Sequence, residues 1–266
     1  MERYSFVMPR LPAIIYYILL GIMAGAFISF GAAASSVASH NISNYGLSRL
    51  VTGFVFPVGL MMIVLVGGEL FTGDCLMVMG VWDKKYSAVS MLKTLIIILL
   101  SNLAGSLLFA FLIYYSGIFS YSDGALGAYM IKIAYGKCTI LPVKAFCSGI
   151  LCNILVCSAV LIANSAKDII GRIAGVFFPI MAFVVGGWEH SIANMFYIPA
   201  GMFAALDKNY LDKAQSLYFI GEKQIESFVS VTGFISNIVP VILGNTVGAM
   251  LFLALPLYIV NRRNRG

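Results

Sequence analysis

Val66-Gly67-Gly68-Glu69-Leu70-Phe71-Thr72-Gly73-Asp74 puts two acids, a threonine and three glycines in the middle of an apolar stretch running from residue 51 to 80. Val185-Gly186-Gly187-Trp188-Glu189-His190-Ser191 does the same inside a second stretch, residues 173–205. Polar, glycine-rich backbone at membrane depth is tolerated only where protein or a water-filled cavity satisfies it. Both stretches therefore read as discontinuous helices whose breaks meet near the bilayer midplane, where sites form in transporters built from repeats.

The rest of the chain supplies the membrane context. Of 266 residues 61% are hydrophobic and 11% charged, whereas a soluble domain has about 45–50% apolar and about 25% charged residues. Further apolar stretches lie near residues 11–36, 92–115, 144–163 and 229–260, each long enough for a span of roughly 20 residues. The fold expected is an all-α polytopic membrane protein with six transmembrane helices, the second and fifth broken, forming one channel domain over residues 1–266. The first stretch is too long for a signal h-region and is followed by five more, so it reads as a retained helix.

The net charge of +6 does not indicate nucleic acid, which needs clustered basic patches on a polar surface. Basic residues instead report topology. With the N-terminus inside, Arg3, Arg10, Lys84, Lys85, Lys93, Lys167, Arg172, Arg262, Arg263 and Arg265 lie on the inner side. Arg49, Lys132, Lys137, Lys144, Lys208, Lys213 and Lys223 lie outside, largely offset by acids. Both termini are expected on the cytoplasmic side of the inner (cytoplasmic) membrane.

The two halves echo each other. Val66-Gly67-Gly68-Glu69 resembles Val185-Gly186-Gly187-Trp188-Glu189, 119 residues on, and Asn102-x-x-Gly105 resembles Asn245-x-x-Gly248, 143 residues on. The extra 24 residues fit the polar stretch from Asp207 to Phe228. Each half holds three spans, so duplication inverts the second copy, and inverted repeats are expected at approximately 11–115 and 144–260. Gly21-x-x-x-Gly25, Gly171-x-x-x-Gly175 and Gly244-x-x-x-Gly248 fit close helix packing.

Among chemistry-bearing residues His190 stands out as an intramembrane ionisable group beside Glu189, a pattern that marks ion or proton pathways. His40 lies in a polar loop, where solvent accounts for it. Thr72 sits in the matching break, so pseudo-symmetry brings it towards His190. Asn153 and Asn245 are amides inside spans and need partners there; helix–helix bonding and pore lining both explain them. Lys137 precedes the fourth span, and spacing alone leaves an anion-attracting charge and a solvated loop charge equally open. Phe56, Leu70, Phe71 and Phe183 are bulky residues near the breaks, and helical spacing alone does not separate a gate from core. The five cysteines form no C-x-x-C and read as small helix fillers; neither metal nor cofactor is expected.

These motifs resemble the formate/nitrite transporters. Trp188-Glu189-His190-Ser191-Ile192-Ala193-Asn194-Met195-Phe196 is similar to that family's fifth-span signature, Glu69-Leu70-Phe71-Thr72-Gly73 to its second-span loop, and Gly149–Cys157 to its fourth-span motif. The resemblance implies a homopentamer of aquaporin-like protomers, each with its own pore. It implies that His190 offers a proton to the anion opposite Thr72, with Glu189 behind it, and that Lys137 is a vestibule lysine. Asn153 and Asn245 would line the central space. Phe71 with Phe56 would form one constriction and Leu70 with Phe183 the other. Within the family the chain looks most like the clostridial hydrosulfide channel branch.

The function expected is a membrane channel for a small weak-acid anion, hydrosulfide first, with formate and nitrite open. A proton-coupled secondary transporter is the rival, because it would use the same His190. A water or glycerol channel is disfavoured by the lack of Asn-Pro-Ala, and an intramembrane metallohydrolase by the lack of His-Glu-x-x-His. No enzyme chemistry is expected.

Overall fold

The structure, a computed structural model, describes residues 12–263, with side chains as far as residue 261. Arg3, Arg10 and Arg265, and the side chains of Arg262 and Arg263, which enter the charge balance above, lie outside what is described. Among the described residues every regular element is helical. Six helical stretches are long and apolar enough to cross a membrane: Ala13–Ser39, Tyr45–Val66, Ala88–Tyr115, Pro142–Ser165, Ile169–Gly186 and Val231–Asn261.

In chain order, α1 is Ala13–Ser39, and the second span is α2 (Tyr45–Val55) joined at Phe56-Pro57 to α3 (Val58–Val66). After a break, α4 (Phe71–Asp74) runs through a tight turn into α5 (Val78–Trp82). α6 (Ala88–Tyr115) ends the first half. The second half holds α8 (Pro142–Ser165), α9 (Ile169–Gly186), a break, α10 (Ser191–Ala204), and α13 (Val231–Val247) continuing through a π-helical stretch into α14 (Leu255–Arg263). Local chemistry sets several starts: Asn44, Ser87, Asp168 and Ser230 each accept a backbone N–H at their helix's N-terminus, and Pro142 opens α8, where a missing N–H costs nothing.

Two connections expected to be loops are helical. The segment before the fourth span contains α7 (Ala125–Cys138), and the polar insertion contains α11 (Lys208–Tyr218) and α12 (Glu222–Phe228). Lys137 therefore lies in the last turn of a helix. Arg49, placed by its charge in an outer loop, lies inside α2, because the second span begins six residues before its apolar run, at Asn44's cap.

The duplication shows in hydrogen bonds. Asn102 on α6 accepts the Phe71 N–H at 3.0 Å and donates to the carbonyls of Gly21 (2.8 Å) and Glu69 (2.9 Å). Asn245 on α13 accepts the Ser191 N–H at 2.9 Å and donates to Gly149 (2.8 Å) and Glu189 (3.0 Å). One amide per half thus fastens the start of the short helix to the break and to the half's first span. This pairing sets Glu69 against Glu189, 120 residues apart and one more than the apolar echo implies. Gly67 (φ 122°) and Gly187 (φ 75°) terminate the preceding helices at the same register, in conformations that β-carbons disfavour.

Glycine also allows the closest approaches. A Cβ on Gly105 would collide with the Ile22 carbonyl oxygen, and one on Gly248 with that of Ile150, so α6 meets α1, and the last span meets α8, backbone to backbone. α10 is buried without interruption from Ser191 to Gly201 and forms the centre of the protomer. Large apolar side chains such as Leu100, Phe178 and Ile235 remain exposed on the outside, a surface that lipid or a neighbouring protomer must cover.

Candidate functional site

The two breaks converge on a dyad. His190 is the N-cap of α10: its Nδ1 accepts the Ala193 backbone N–H at 3.1 Å. A nitrogen that accepts is not itself protonated, so the neutral ring carries its hydrogen on Nε2. Nε2 lies 3.1 Å from Thr72 Oγ1, and both residues are buried. Thr72 is fixed in turn, its carbonyl accepting from Asn153 Nδ2 at 3.1 Å and from the Cys157 thiol at 3.1 Å. Because α4 and α10 both start here, their N-terminal partial positive charges face the dyad from opposite sides.

A pathway runs past the dyad. On the side of α7 an open mouth of about 570 Å³, lined in part by His40, Lys132 and Tyr218, narrows into an inner vestibule of about 120 Å³ that reaches His190. Phe56 and Phe183 stand across it, rings edge to face at 5.6 Å and 89°, with Phe183 5.8 Å from the imidazole. Beyond them lies an apolar space of about 10 Å³ among Leu60, Leu70, Val156 and His190, at the limit for one water molecule.

The aromatic pairing departs from the expectation. Phe56 and Phe183 face each other instead of belonging to two separate constrictions, because Phe56 sits at the Pro57 bend, level with the last turn of α9. Leu70 lines the small space on the far side, and Phe71 is buried behind it, its N–H held by Asn102 and its side chain outside the lining of both spaces.

Asn153 and Asn245 also sit differently from the expected lining. Both are fully buried, and neither borders the vestibule or the small space. Asn153 donates to the Asn245 carbonyl at 2.7 Å as well as to Thr72. The two amides tie one half to the other, which is the helix–helix reading left open by the sequence.

Lys137 does reach the vestibule, but as half of a buried ion pair. Its Nζ lies 3.0 and 3.2 Å from the Glu189 carboxylate oxygens. Asn194 Nδ2 donates to the same carboxylate at 2.6 Å and to Asn237 Oδ1 at 2.7 Å, and Asn237 Nδ2 bonds the Lys137 carbonyl at 2.9 Å. Such a pair persists inside a protein only when further hydrogen bonds satisfy it, and these amides supply them. Asn194 borders the vestibule, and its buried Oδ1 has no partner among the described residues.

Asn102, Asn194, Asn237 and Arg49 were not singled out as site residues by sequence reasoning. Asn102 was visible as the repeat partner of Asn245, and Asn194 belongs to the histidine motif. Asn237 offered only the signal of an amide within an apolar run. Among the described residues no group of three or more His, Cys, Asp or Glu forms a metal site.

Comparisons with known proteins agree with this arrangement. The family described as formate/nitrite transporter matches residues 10–259. A probable formate transporter of Methanothermobacter thermautotrophicus is 38% identical over 255 residues, covering 89% of this chain and 85% of that protein. The formate channel FocA of Escherichia coli (strain K12) is 30% identical, covering 92% and 86%. A solved pentameric formate channel with formate bound superposes with a TM-score of 0.82 at 27% identity, covering 94% of this chain and 98% of that one. These relatives are transporters and channels, not enzymes, and with six apolar spans around a broken-helix centre the chain is a membrane protein of the formate/nitrite transporter family.

Proposed function

We propose that the protein is a homopentameric channel passing small monovalent weak acids through each protomer, with formate and hydrosulfide as the first substrates to test. The observation that carries this reading is the position of one hydrogen-bonding dyad, His190–Thr72, between the Phe56–Phe183 pair and the apolar space at Leu70. A bare anion there loses its hydration against hydrocarbon, at a cost of several kcal/mol or more, while the neutral acid crosses with one hydrogen-bond partner waiting. Relatives named as formate channels support formate. The compact space of about 10 Å³ suits hydrosulfide, whose single heavy atom is the smaller cargo.

The resemblance makes His190 the proton source, and the capping bond argues for a different role. If Nε2 surrendered a proton from the doubly protonated ring, Nδ1–H would be left facing the Ala193 N–H, donor against donor. The neutral ring, by contrast, holds its cap and keeps Nε2–H directed at Thr72 and the passing acid. The proton then joins the anion in the wet vestibule, and the dyad supplies the hydrogen bond in transit. Both termini on the cytoplasmic side of the inner membrane, with the Lys137 vestibule outside, complete the reading.

Liposome flux of formate and hydrosulfide at several pH values tests it. A midpoint that follows each acid's own pKa supports the hydrogen-bonding dyad; one midpoint shared by both acids makes His190 the proton source. Strict stoichiometric coupling to a proton gradient, without ohmic single-channel current, would replace the channel by a proton-coupled transporter.

A further inference from the structure

The family resemblance puts the positive charge of the vestibule at Lys137, yet that charge is cancelled. Glu189 meets the ammonium at 3.0 Å, and both side chains are largely buried, 17% and 8% exposed. Seen from the vestibule the pair is a dipole with no net charge. Lys132 is exposed in the outer mouth, its Nζ 4.6 Å from the Tyr218 ring centre, where water screens it.

Arg49 is different. It borders both the outer mouth and the inner vestibule. Its guanidinium donates to backbone only: Nε and Nη2 to the Val185 carbonyl, each at 3.2 Å, and Nη2 also to the Val184 carbonyl. These carbonyls lie at the end of α9, next to Gly187, and that of Val184 also accepts the Gly187 N–H at 3.1 Å. They carry partial negative charge, but no carboxylate among the described residues pairs with Arg49. A full positive charge thus stands in the vestibule wall, held in place by the helix end whose break leads to His190.

We infer that Arg49, and not Lys137, is the residue whose charge concentrates anions in the inner vestibule, and so sets capture of the anionic form. The inference rests on the anion-channel reading above. A charged wall in a narrow cleft focuses field and raises local anion concentration, an effect that salt removes.

The test is initial formate uptake into liposomes containing the full-length protein, at ionic strengths of about 10 mM and about 0.3 M. Arg49→Gln is expected to lower uptake at limiting formate about three- to tenfold at low salt, to raise KM while Vmax holds, and to flatten the salt dependence. Arg49→Lys, which keeps the charge and loses the fork of hydrogen bonds, is expected to stay within about twofold of wild type. Thr52→Glu places a carboxylate one turn along α2 on the same vestibule wall without touching the α9 carbonyls, and is expected to reproduce the Arg49→Gln phenotype even if that variant does not assemble. Arg49→Lys as impaired as Arg49→Gln would make Arg49 a helix cap only. An unchanged salt slope in Thr52→Glu would likewise overturn the inference while leaving the channel reading intact. A wild-type protein that passes neither formate nor hydrosulfide would overturn both.

Discussion

His190 Nε2 lies 3.1 Å from Thr72 Oγ1 while Nδ1 of the same ring accepts the Ala193 N–H at 3.1 Å. The first bond joins the two halves of the protein; the second determines which nitrogen faces the pathway. His190→Asn keeps a side chain suited to helix capping but withdraws the donor from Thr72. It is expected to fold and to conduct several-fold more slowly, with its pH midpoint unmoved. A lost pH response in the liposome assay would contradict the hydrogen-bonding role.

Glu189 and Lys137 stabilise each other only as a pair. Lys137→Met leaves a buried carboxylate without its cation and is expected to destabilise the protein by about 3–5 kcal/mol. Adding Glu189→Gln is expected to recover most of that loss. Thermal unfolding of the single and double variants measures the coupling, and additive effects would mean the ion pair is absent in the membrane.

The amides of Asn102 and Asn245 each serve one N–H and two carbonyls with the same geometry. Replacing either by alanine strands the N–H at the start of the short helix and the carbonyl in the break, at about 1–3 kcal/mol for each group left unsatisfied, while the Gly21 and Gly149 carbonyls lie inside α1 and α8 and keep their helical partners. Asn102→Ala and Asn245→Ala are therefore expected to lower the melting temperature by similar amounts. An effect confined to one half would show that the repeat's hydrogen bonds are not equivalent in strength.

Phe183→Ala removes one ring of the edge-to-face pair and opens the vestibule towards the small space. Larger monocarboxylates are expected to enter, raising acetate flux relative to formate several-fold. The same experiment on Phe71, whose side chain borders neither space, is expected to leave that ratio unchanged.

On the α7 face, Lys213 donates to Asp123 at 2.6 Å and holds its carboxyl below the usual range. A lowered carboxylate pKa contributes stability that is present above about pH 4, the ordinary aspartate value, and lost as pH falls through the folded-state value. Lys213→Met is accordingly expected to lower stability slightly at pH values above about 4, and to unfold like wild type once the pH falls below the folded-state value. A changed flux profile between about pH 5 and 8 in that variant would assign this pair a role in the pathway.

Much of the architecture was readable before any coordinates. Apolar runs of span length, interrupted twice by glycine and charge, follow from the cost of unpaired backbone in lipid, and that cost acts on each segment separately. The echo of Asn102 in Asn245 likewise survives as text, because duplication copies residues in order. Helices α7, α11 and α12 were missed: α7 is apolar but, at 14 residues, too short for a span, α11 and α12 are polar and carry no membrane signal, and all three owe their stability to packing on α10 and on one another.

The sequence by itself determined a duplicated membrane protein with two broken spans and a histidine at one break, because hydrophobic length and backbone polarity are local properties. Only the tertiary structure decided that Phe56 faces Phe183, that Lys137 is cancelled by Glu189, that the asparagines hold backbone, and that Arg49 has no carboxylate partner among the described residues. Those facts are distances between residues far apart in the chain. Helical periodicity places a side chain on a face, but the packing of α2 against α9, and of α7 against α10, selects what that face meets.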